Sequence, residues 1–477
     1  MIPLVVDLDG TLCRSDTLFE AVLRLVGRRP AALPGLVAAL FRGRRAFKAH
    51  VADRQIADPA TLPWRPEVLA LIESARAEGR RVELVSAADQ RQVEAVAAHL
   101  GLFDAAIGTT PPAQSHADPG NLKGPNKATL LRERHGEKGF DYVGDSASDL
   151  AVWSGARRAI VVAPSPGLLR RMRAAGLTPE PLGAAKGRLK PALQAMRPHQ
   201  WAKNVLVFVP ALAAHDPWAL LPALAAFVAF SIVASGVYLL NDLLDLGADR
   251  IHPRKRFRPL ASGDLPIPLG LGLAALLFAL GMAISAVASP GDLLGVLAVY
   301  VVATSAYSFW LKRKMMIDIV GLAGLYTLRI WAGAVATGIE LSNWLLVFSM
   351  FFFFSLAAMK RQAELADADR NSRDAAASGR NLHVDDLATI RSMSIASGQI
   401  AVLVFGLYAM DPMVRALYSA PDLLLLVCPL LFFWIGRLQV LTQRGFMADD
   451  PLVFVMRDRV SLLVLGLIVL LILATGF

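Results

Sequence analysis

Long apolar runs dominate the chain beyond Pro198, whereas the part before it alternates short apolar segments with polar ones. A run of roughly 20 apolar residues is long enough to cross a bilayer as a helix. The pattern predicts about nine membrane helices, near 202–215, 218–240, 268–288, 291–311, 316–337, 342–359, 392–411, 421–441 and 459–476. A soluble α/β domain followed by an all-α polytopic membrane domain is therefore expected.

Composition places the boundary between these parts. Residues 184–196 are rich in Gly, Ala, Pro and basic side chains and are expected to form a linker between a domain at 1–183 and a membrane domain at 197–477. Overall, 55% of the residues are hydrophobic. The two cysteines, Cys13 and Cys428, lie far apart and predict no disulfide framework.

The charged residues between the apolar runs predict the orientation in the membrane. Basic clusters such as Arg254–Arg258 and Lys312–Lys314 fall on one side, while Asp216, Asp292 and Glu340 fall on the other. Cytoplasmic loops carry the excess of Lys and Arg. The N-terminal domain and the acidic residues between 242 and 249 of the membrane domain are therefore expected on the cytoplasmic side of a bacterial inner membrane. The net charge of +10 is explained by this bias and by anionic substrates, so no nucleic-acid partner is expected.

An acidic stripe stands at the end of the second apolar run. Asp242, Asp245 and Asp249 are spaced by three and four residues, so a helix would project all of them from one face. Such carboxylates repel one another unless a cation lies between them. Mg²⁺ prefers oxygen ligands and is often shared with phosphates, so the stripe predicts a diphosphate site at a membrane surface.

Acidic and hydroxyl side chains also mark the ends of predicted strands in the N-terminal domain. Asp7 and Asp9 follow a buried strand at a spacing of two, which lets both address one substrate. One could attack phosphorus while the other moves the proton. Ser86 ends a second strand, and Asp145 and Asp149 follow a third.

Together with Lys127, these motifs resemble the haloacid dehalogenase-type phosphohydrolases over about residues 1–180. The resemblance implies a Rossmann-like α/β fold with a helical cap at about 18–63. It further implies Asp7 as nucleophile, Asp9 as general acid and base, and Mg²⁺ held by Asp7, Asp9, Asp145 and Asp149. Ser86 and Lys127 would bind the phosphate, with Lys123 a weaker candidate for the lysine.

From about residue 195 onward the chain resembles the UbiA prenyltransferase superfamily, on segment 197–204, which precedes the first apolar run, and segment 249–263, which follows the acidic stripe. Aromatic prenyltransferases of that superfamily carry a second Asp-rich motif. This chain instead has Lys360, Arg361 and Glu364, a pattern similar to the decaprenyl-phosphate phosphoribosyltransferase branch.

That branch implies transfer of 5-phosphoribosyl from phosphoribosyl diphosphate to a polyprenyl phosphate. Mg²⁺ on Asp242, Asp245 and Asp249, oriented by Asn241, would neutralise the leaving diphosphate. Further substrate-binding candidates are Lys203, Asn204, Arg254, Lys255, Arg258, Lys312, Arg329, Lys360, Arg361 and Glu364. For Arg329, inside the fifth apolar run, a buried ion pair with an acid on another helix is the competing explanation.

The transfer product is a phosphomonoester, which is the substrate type of the N-terminal domain. The fusion therefore suggests removal of the 5-phosphate to give polyprenyl-phosphoribose, on the route to lipid-linked arabinofuranose. Two alternatives stay open: an aromatic prenyltransferase of a quinone or haem pathway with a regulatory N-terminal domain, and a cation-coupled lipid transporter. The sequence is also compatible with a homo-oligomer.

Overall fold

The computed structural model describes residues 1–110, 120–185, 187–288, 292–370, 382–416, 418–447 and 450–476, without the side chains of residues 368 and 370. The chain divides into two compact units. The first comprises Met1–Met196 and Leu239–Leu273, and the second comprises Arg197–Tyr238 and Ala274–Phe477. The first unit thus combines the predicted α/β domain with a stretch of the predicted membrane domain.

A six-stranded parallel sheet forms the centre of the first unit. Its strands, numbered in chain order, are β1 Leu4–Val6, β2 Val82–Asp89, β3 Ala105–Thr109, β4 Asp141–Gly144, β5 Ala159–Val162 and β6 Pro179–Leu182. They lie in the order β3-β2-β1-β4-β5-β6. Val6 of β1 is in register with Leu84 of β2 and with Val143 of β4. The predicted Rossmann-like α/β architecture is confirmed.

Side-chain alternation explains how β1 supports two hydrophobic layers. Leu4 and Val6 pack into one cluster with residues such as Ile72, while Val5 packs into another with residues such as Trp153. Because both faces of a parallel sheet are covered, such a strand is apolar at every position. The centre of the sheet is consequently rigid, and functional groups are left to the strand ends.

Nine helices surround the sheet or extend from it. They are α1 Thr17–Arg28, α2 Leu33–Phe41, α3 Arg44–Ala52, α4 Pro66–Ala77, α5 Gln90–Leu100, α6 Pro125–His135, α7 Leu150–Gly155, α8 Pro166–Ala174 and α9 Leu189–Met196. The Asp16 carboxylate caps α1 by accepting from the backbone N–H groups of Leu18 and Phe19. Helices α1 to α3 occupy the interval predicted for the helical cap.

Twelve further helices make up the rest of the described chain. They are α10 Val209–Ala213, α11 Leu220–Leu244, α12 Leu246–Ile251, α13 Ile267–Ala288, α14 Asp292–Phe309, α15 Ile317–Thr337, α16 Asn343–Arg370, α17 Leu387–Met410, α18 Pro412–Arg415, α19 Val427–Gln443, α20 Pro451–Val455 and α21 Arg459–Ala474. In the described ranges, seven segments are long and apolar enough to cross a membrane, those of α11, α13, α14, α15, α16, α17 and α19.

The predicted count of nine spans is therefore approximate. The last predicted span corresponds to the shorter apolar helix α21. The first predicted span, 202–215, is not one long helix, because Pro198–Phe208 forms 3-10 turns and only Val209–Ala213 is α-helical. Pro210 lies inside this short apolar run, and proline in a helix interior removes a backbone hydrogen bond, which is unfavourable for one continuous helix.

A close backbone contact in the second unit holds this irregular segment against α15. A Cβ atom at Gly333 would overlap the carbonyl group of Val207, so only glycine fits there. The contact brings Lys203 and Asn204, both buried, to the α15 helix that carries Arg329. Gly333 thereby determines which polar side chains of the second unit can meet.

Candidate active sites

The first candidate site lies at the carboxyl ends of β1 and β4. The strand order reverses between these two strands, and in open α/β sheets ligands bind in the crevice at this point. Asp7 follows β1 directly, and Asp145 follows β4. Gly10 adopts φ +78°, and a Cβ atom there would overlap the Asp145 carboxylate. The loop after β1 can therefore approach Asp145 only because residue 10 is glycine.

Three carboxylates come together at these strand ends. Asp7, Asp145 and Asp149 each place an oxygen within 4.8 Å of the others. Burial, with Asp149 and Asp7 close by, raises the pKa of Asp145 to about 7. Burial also raises the pKa of Asp7, although Lys127 acts in the opposite direction. A hard divalent cation would relieve this mutual repulsion and suits an all-carboxylate ligand set, so these residues fit Mg²⁺.

Lys127 is the cation that the structure itself provides. Its buried Nζ lies 3.0 Å from Asp7 Oδ1 and 3.9 Å from Asp149 Oδ1. It also donates to the Tyr142 hydroxyl at 3.0 Å, which in turn donates to Asp149 Oδ1 at 2.9 Å. Sequence reasoning missed Tyr142 because its position in β4 is typical of an ordinary core aromatic residue. The hydroxyl nevertheless fixes both Lys127 and Asp149.

Asp9 is held in a state suited to acid catalysis. Its Oδ1 accepts from the backbone N–H of Thr17 at 2.8 Å. Burial, reinforced by the neighbouring Asp16, raises the pKa of Asp9 to about 8, so the carboxyl carries a proton at neutral pH. Ser86 is buried and lines the same cavity of about 1130 Å³ as Asp7, Asp9 and Lys127. The structure thus brings together all the residues predicted for this site.

The acidic stripe is also in the first unit. A short break at Asp245 separates α11 from α12, yet Asp249 N still donates to the Asp245 carbonyl at 2.8 Å. Asp242 and Asp249 are buried and share the Arg258 guanidinium, at 3.0 and 2.6 Å from its Nη1, whereas Asp245 is exposed. Burial raises the pKa of Asp249, against the pull of Arg258. Arg258 thus pairs with two of the three carboxylates for which the sequence predicts Mg²⁺ as the cation.

The remaining candidates near the stripe lie at the surface of this unit. Asn241 is half-buried in the last turn of α11. Arg254 and Lys255 are exposed, and Lys255 Nζ lies 3.9 Å from Asp249 Oδ1. The backbone N–H groups of both residues point to the His252 ring nitrogen, at 3.2 and 3.4 Å. Within the described ranges, the stripe does not bring three ligand atoms as close together as the strand-end site does.

A cluster in which positively charged side chains surround one carboxylate lies in the second unit. Lys203 Nζ and Lys360 Nζ lie 2.8 and 3.0 Å from Asp450 Oδ2. The Tyr326 hydroxyl is also within hydrogen-bonding distance of both Asp450 oxygens, at 2.8 and 2.9 Å. Although burial raises the pKa of Asp450, the two lysines outweigh it and hold that pKa below its ordinary value. Asp450 was not predicted, because an acid before Pro451 resembles a helix cap, which it also provides.

Arg329 extends this cluster. Its Nε donates to Asn204 Oδ1 at 2.9 Å, and its guanidinium lies 5.1 to 5.8 Å from the ring centres of Phe230, Tyr300 and Tyr326. Among the described residues no carboxylate pairs with it, so the buried ion pair considered from the sequence is not formed there. A desolvated guanidinium held by an amide and aromatic rings is suited to an anionic ligand.

Arg361 has a different environment. It is buried beside Asp318, with 2.5 Å between Nε and Oδ2, and it also pairs with Glu364 at 2.5 Å. Its Nη2 donates to the Tyr307 hydroxyl at 2.9 Å, which donates to Asp318 Oδ1 at 2.7 Å. Lys312 lies in the 3-10 turn after α14 and is partly buried. Lys360 and Arg361 are neighbours in sequence, yet they belong to separate ionic groups.

Comparison with known families identifies both parts of the chain. The UbiA prenyltransferase family matches residues 205–457, and the haloacid dehalogenase-like hydrolase family matches residues 4–153. The two matches cover the membrane helices and the strand-end site respectively. Together with the apolar helices, they show a multi-pass membrane protein.

Relatives resemble the whole chain or its second part. The chain is 37% identical over 466 residues to the uncharacterized protein y4nM of Sinorhizobium fredii, covering 96% of this chain and 88% of that one. It is 36% identical to the nodulation protein NoeC of Azorhizobium caulinodans, covering 57% and 90%. It is also 37% identical over 276 residues to a decaprenyl-phosphate phosphoribosyltransferase of Mycobacterium tuberculosis, covering 56% and 88%.

Proposed function

Because the chain belongs to the UbiA prenyltransferase family and also carries a haloacid dehalogenase-like domain, we propose that it is a bifunctional membrane enzyme. The UbiA part transfers 5-phosphoribosyl from phosphoribosyl diphosphate to decaprenyl or a similar polyprenyl phosphate. The hydrolase domain then removes the 5-phosphate. The product is polyprenyl-phosphoribose, a precursor for lipid-linked arabinofuranose.

The observation that carries the transfer step is the excess of buried positive charge in the second unit. Lys203 and Arg329 are buried and Lys360 is partly buried, and among the described residues Asp450 is the one carboxylate that pairs with any of these three side chains. Buried cations need anionic partners, and phosphate groups of a donor or lipid acceptor provide them. The similarity to a decaprenyl-phosphate phosphoribosyltransferase extends over 276 residues at 37% identity, against 142 residues at 30% for a protoheme IX farnesyltransferase of Lysinibacillus sphaericus, and this favours a donor that carries phosphates at both ends.

The roles in transfer follow from the charges. Asp242 and Asp245, with Asp249 and Asn241 in support, would hold the Mg²⁺ that neutralises the leaving diphosphate, and Arg254, Lys255 and Arg258 contribute positive charge to the same group. The ribose C1–O bond breaks and the electron pair leaves with the diphosphate. A phosphate oxygen of the acceptor forms the new bond to C1. An ionised phosphate is already nucleophilic, so no general base is needed.

The phosphatase step uses the strand-end site. Asp7 Oδ attacks the phosphorus of the 5-phosphate, and the protonated Asp9 gives its proton to the leaving 5-hydroxyl oxygen. Lys127 and Ser86 bind the phosphoryl oxygens. The ionised Asp9 then takes a proton from water as the water attacks the aspartyl phosphate, which releases inorganic phosphate and restores both side chains.

Mg²⁺ at Asp7, Asp145 and Asp149 would supply charge neutralisation for the phosphoryl group. Side chains of the protein hold the other charged groups of this site in position. Lys127 pairs with Asp7, and Tyr142 links Lys127 to Asp149. We place this site, and the stripe, on the cytoplasmic side of a bacterial inner membrane, because the basic loops Arg254–Arg258 and Lys312–Lys314 follow the positive-inside rule.

The deciding experiment is mass spectrometry of lipid products from the purified full chain given Mg²⁺, phosphoribosyl diphosphate and decaprenyl phosphate. We expect polyprenyl-phosphoribose, and we expect Asp242→Asn to lower its formation by roughly 10²- to 10³-fold, as for loss of one charge-stabilising group. The exposed Asp422, which pairs with Arg415, gives the matched control Asp422→Asn with wild-type turnover. Turnover of a prenyl diphosphate with an aromatic acceptor, and none with phosphoribosyl diphosphate, would contradict the proposal.

A further inference from the structure

Part of the phosphatase cavity is built from the transferase half of the sequence. The cavity that contains Asp7 and Asp9 is also lined by Gly263, Asp264 and the segment Pro266–Pro268, all within the first compact unit. These residues fall inside the match to the UbiA family and outside the match to the hydrolase family. One wall of the hydrolase cavity is therefore formed by residues that lie outside the segment matched to the hydrolase family.

The side chain of Arg250 holds this wall of the cavity in place. Arg250, which follows Asp249, pairs with Glu20 of α1 at 2.5 Å and donates to the Thr61 carbonyl at 3.3 Å. Both side chains of the pair are nearly buried, at 7% and 9% exposure. Arg250 Nε also donates to the Ala261 carbonyl at 2.8 Å, which ties the segment before Gly263 to the same guanidinium. A buried, multiply bonded arginine gives a defined rather than a transient contact.

Arg14 and Asp264 face each other across this contact. Arg14 Nη1 lies 3.7 Å from Asp264 Oδ1, longer than a hydrogen bond, and both side chains line the cavity. Arg14 Nε is buried and has no hydrogen-bond partner among the described residues. Gly263 adopts φ +75°, and a Cβ there would lie 2.7 Å from Arg14 Cβ. The backbone of the wall thus packs on Arg14 while part of its guanidinium stays unsatisfied.

We propose that Arg14 and Asp264 form a leaving-group subsite that selects a pentose 5-phosphate carrying a second phosphate in diester linkage at C1. Arg14 binds the diester anion, and Asp264 accepts hydrogen bonds from the sugar hydroxyls. The inference rests on the proposed function and adds the residues that choose the phosphatase substrate. The cavity of about 1130 Å³ is larger than a simple sugar phosphate requires, since pockets for drug-sized molecules measure roughly 300–1,000 Å³.

The test compares three phosphate esters with the purified full chain. They are ribose 5-phosphate, phosphoribosyl diphosphate, and 5-phosphoribosyl farnesyl phosphate as a short lipid diester. We expect the wild type to hydrolyse the diester with the highest kcat/KM. In Arg14→Met, the preference for the diester over ribose 5-phosphate should fall by about 10- to 100-fold, because a charge-assisted hydrogen bond is lost. Arg14→Lys should recover part of it, and Asp264→Asn should show a smaller loss.

Arg54→Met is the matched control, because Arg54 is exposed on the cap and its side chain forms hydrogen bonds with His50 outside the proposed subsite. It should keep the wild-type preference. Thermal unfolding of every variant separates lost selectivity from lost folding. An unchanged ratio in Arg14→Met, or equal losses on all three esters, would overturn the subsite.

Each negative result contradicts a different part of the proposal. A wild type that hydrolyses ribose 5-phosphate but not the farnesyl diester contradicts the proposed phosphatase step itself. A wild type that prefers the diester, with Arg14→Met keeping that preference, contradicts only the subsite. Equal hydrolysis of phosphoribosyl diphosphate and the lipid diester would show that the second phosphate comes from a soluble donor, and would overturn the lipid assignment.

Discussion

The strand-end site and the buried cluster of the second unit carry opposite excesses of charge. Asp7, Asp145 and Asp149 lie close together, and Lys127 pairs with Asp7 and Asp149. In the second unit, Lys203 and Lys360 converge on one carboxylate, Asp450. Burial makes such an imbalance costly in both places. We therefore propose that a metal cation balances the charge in the first region and phosphate anions balance it in the second.

The comparison also explains why Arg361 is unlike Arg329, although both are buried arginines of the second unit. Arg361 is surrounded by the acids Asp318 and Glu364. Arg329 is held by an amide and by aromatic rings. The first arginine is paired with carboxylates of the protein, whereas for the second we propose a phosphate group of the substrate as the anionic partner.

Asp7→Asn should produce the largest effect. An amide cannot act as the nucleophile, so we expect phosphate release to fall by roughly 10⁴-fold or more, as for loss of other nucleophiles. The transfer step should continue, and mass spectrometry should show accumulation of the lipid 5-phosphate. Asp53→Asn is the control, because Asp53 is exposed and pairs with Arg91 outside the cavity. An unchanged final product in Asp7→Asn would mean that the domain is regulatory.

Replacement of the two buried arginines should separate ligand binding from stability. Arg361→Met leaves Asp318 buried without its cation and should reduce the free energy of unfolding by about 3–5 kcal/mol. Arg329→Met should cost about 2 kcal/mol, because its hydrogen bonds to Asn204 and to the Leu325 carbonyl are lost, yet lower kcat/KM for transfer by about 10- to 100-fold. Thermal unfolding in detergent and transfer assays measure both. Equal destabilisation by the two variants would contradict the assignment.

The metal requirement of the phosphatase should depend on pH. Because the pKa of Asp145 is raised to about 7, the carboxyl is ionised at pH 8 and mostly protonated at pH 6. Metal ligands must be deprotonated, so the apparent Kd for Mg²⁺ should rise by about tenfold per pH unit below 7. Titration of phosphate release with Mg²⁺ at several pH values measures this. Asp145→Asn should bind Mg²⁺ weakly throughout and lose the slope; a flat profile in the wild type would refute the assignment.

Local motifs made the strand-end site predictable from the sequence. Asp7, Asp9 and Asp145 each follow an apolar strand, and the parallel sheet brings such ends together. Tyr142 and Asp450 were not predictable, because the first is typical of a core residue and the second of a helix cap. The irregular segment Pro198–Phe208 was mistaken for part of a span, since hydropathy does not record the close approach at Gly333. Long-range contacts of this kind leave no local pattern.

The two stretches of chain in the first compact unit limit which fragments can form a complete hydrolase cavity. The unit consists of two separate stretches of chain, and Arg250 of the second stretch pairs with Glu20 of the first. A fragment that ends at Met196 would lack Arg250, leave the Glu20 carboxylate buried without its arginine, and open one wall of the cavity. Cleavage of the peptide chain between β6 and α9 should, by contrast, leave the two stretches bound to each other. The first compact unit is thus discontinuous in sequence, and we expect a complete cavity to require expression of residues up to about Leu273.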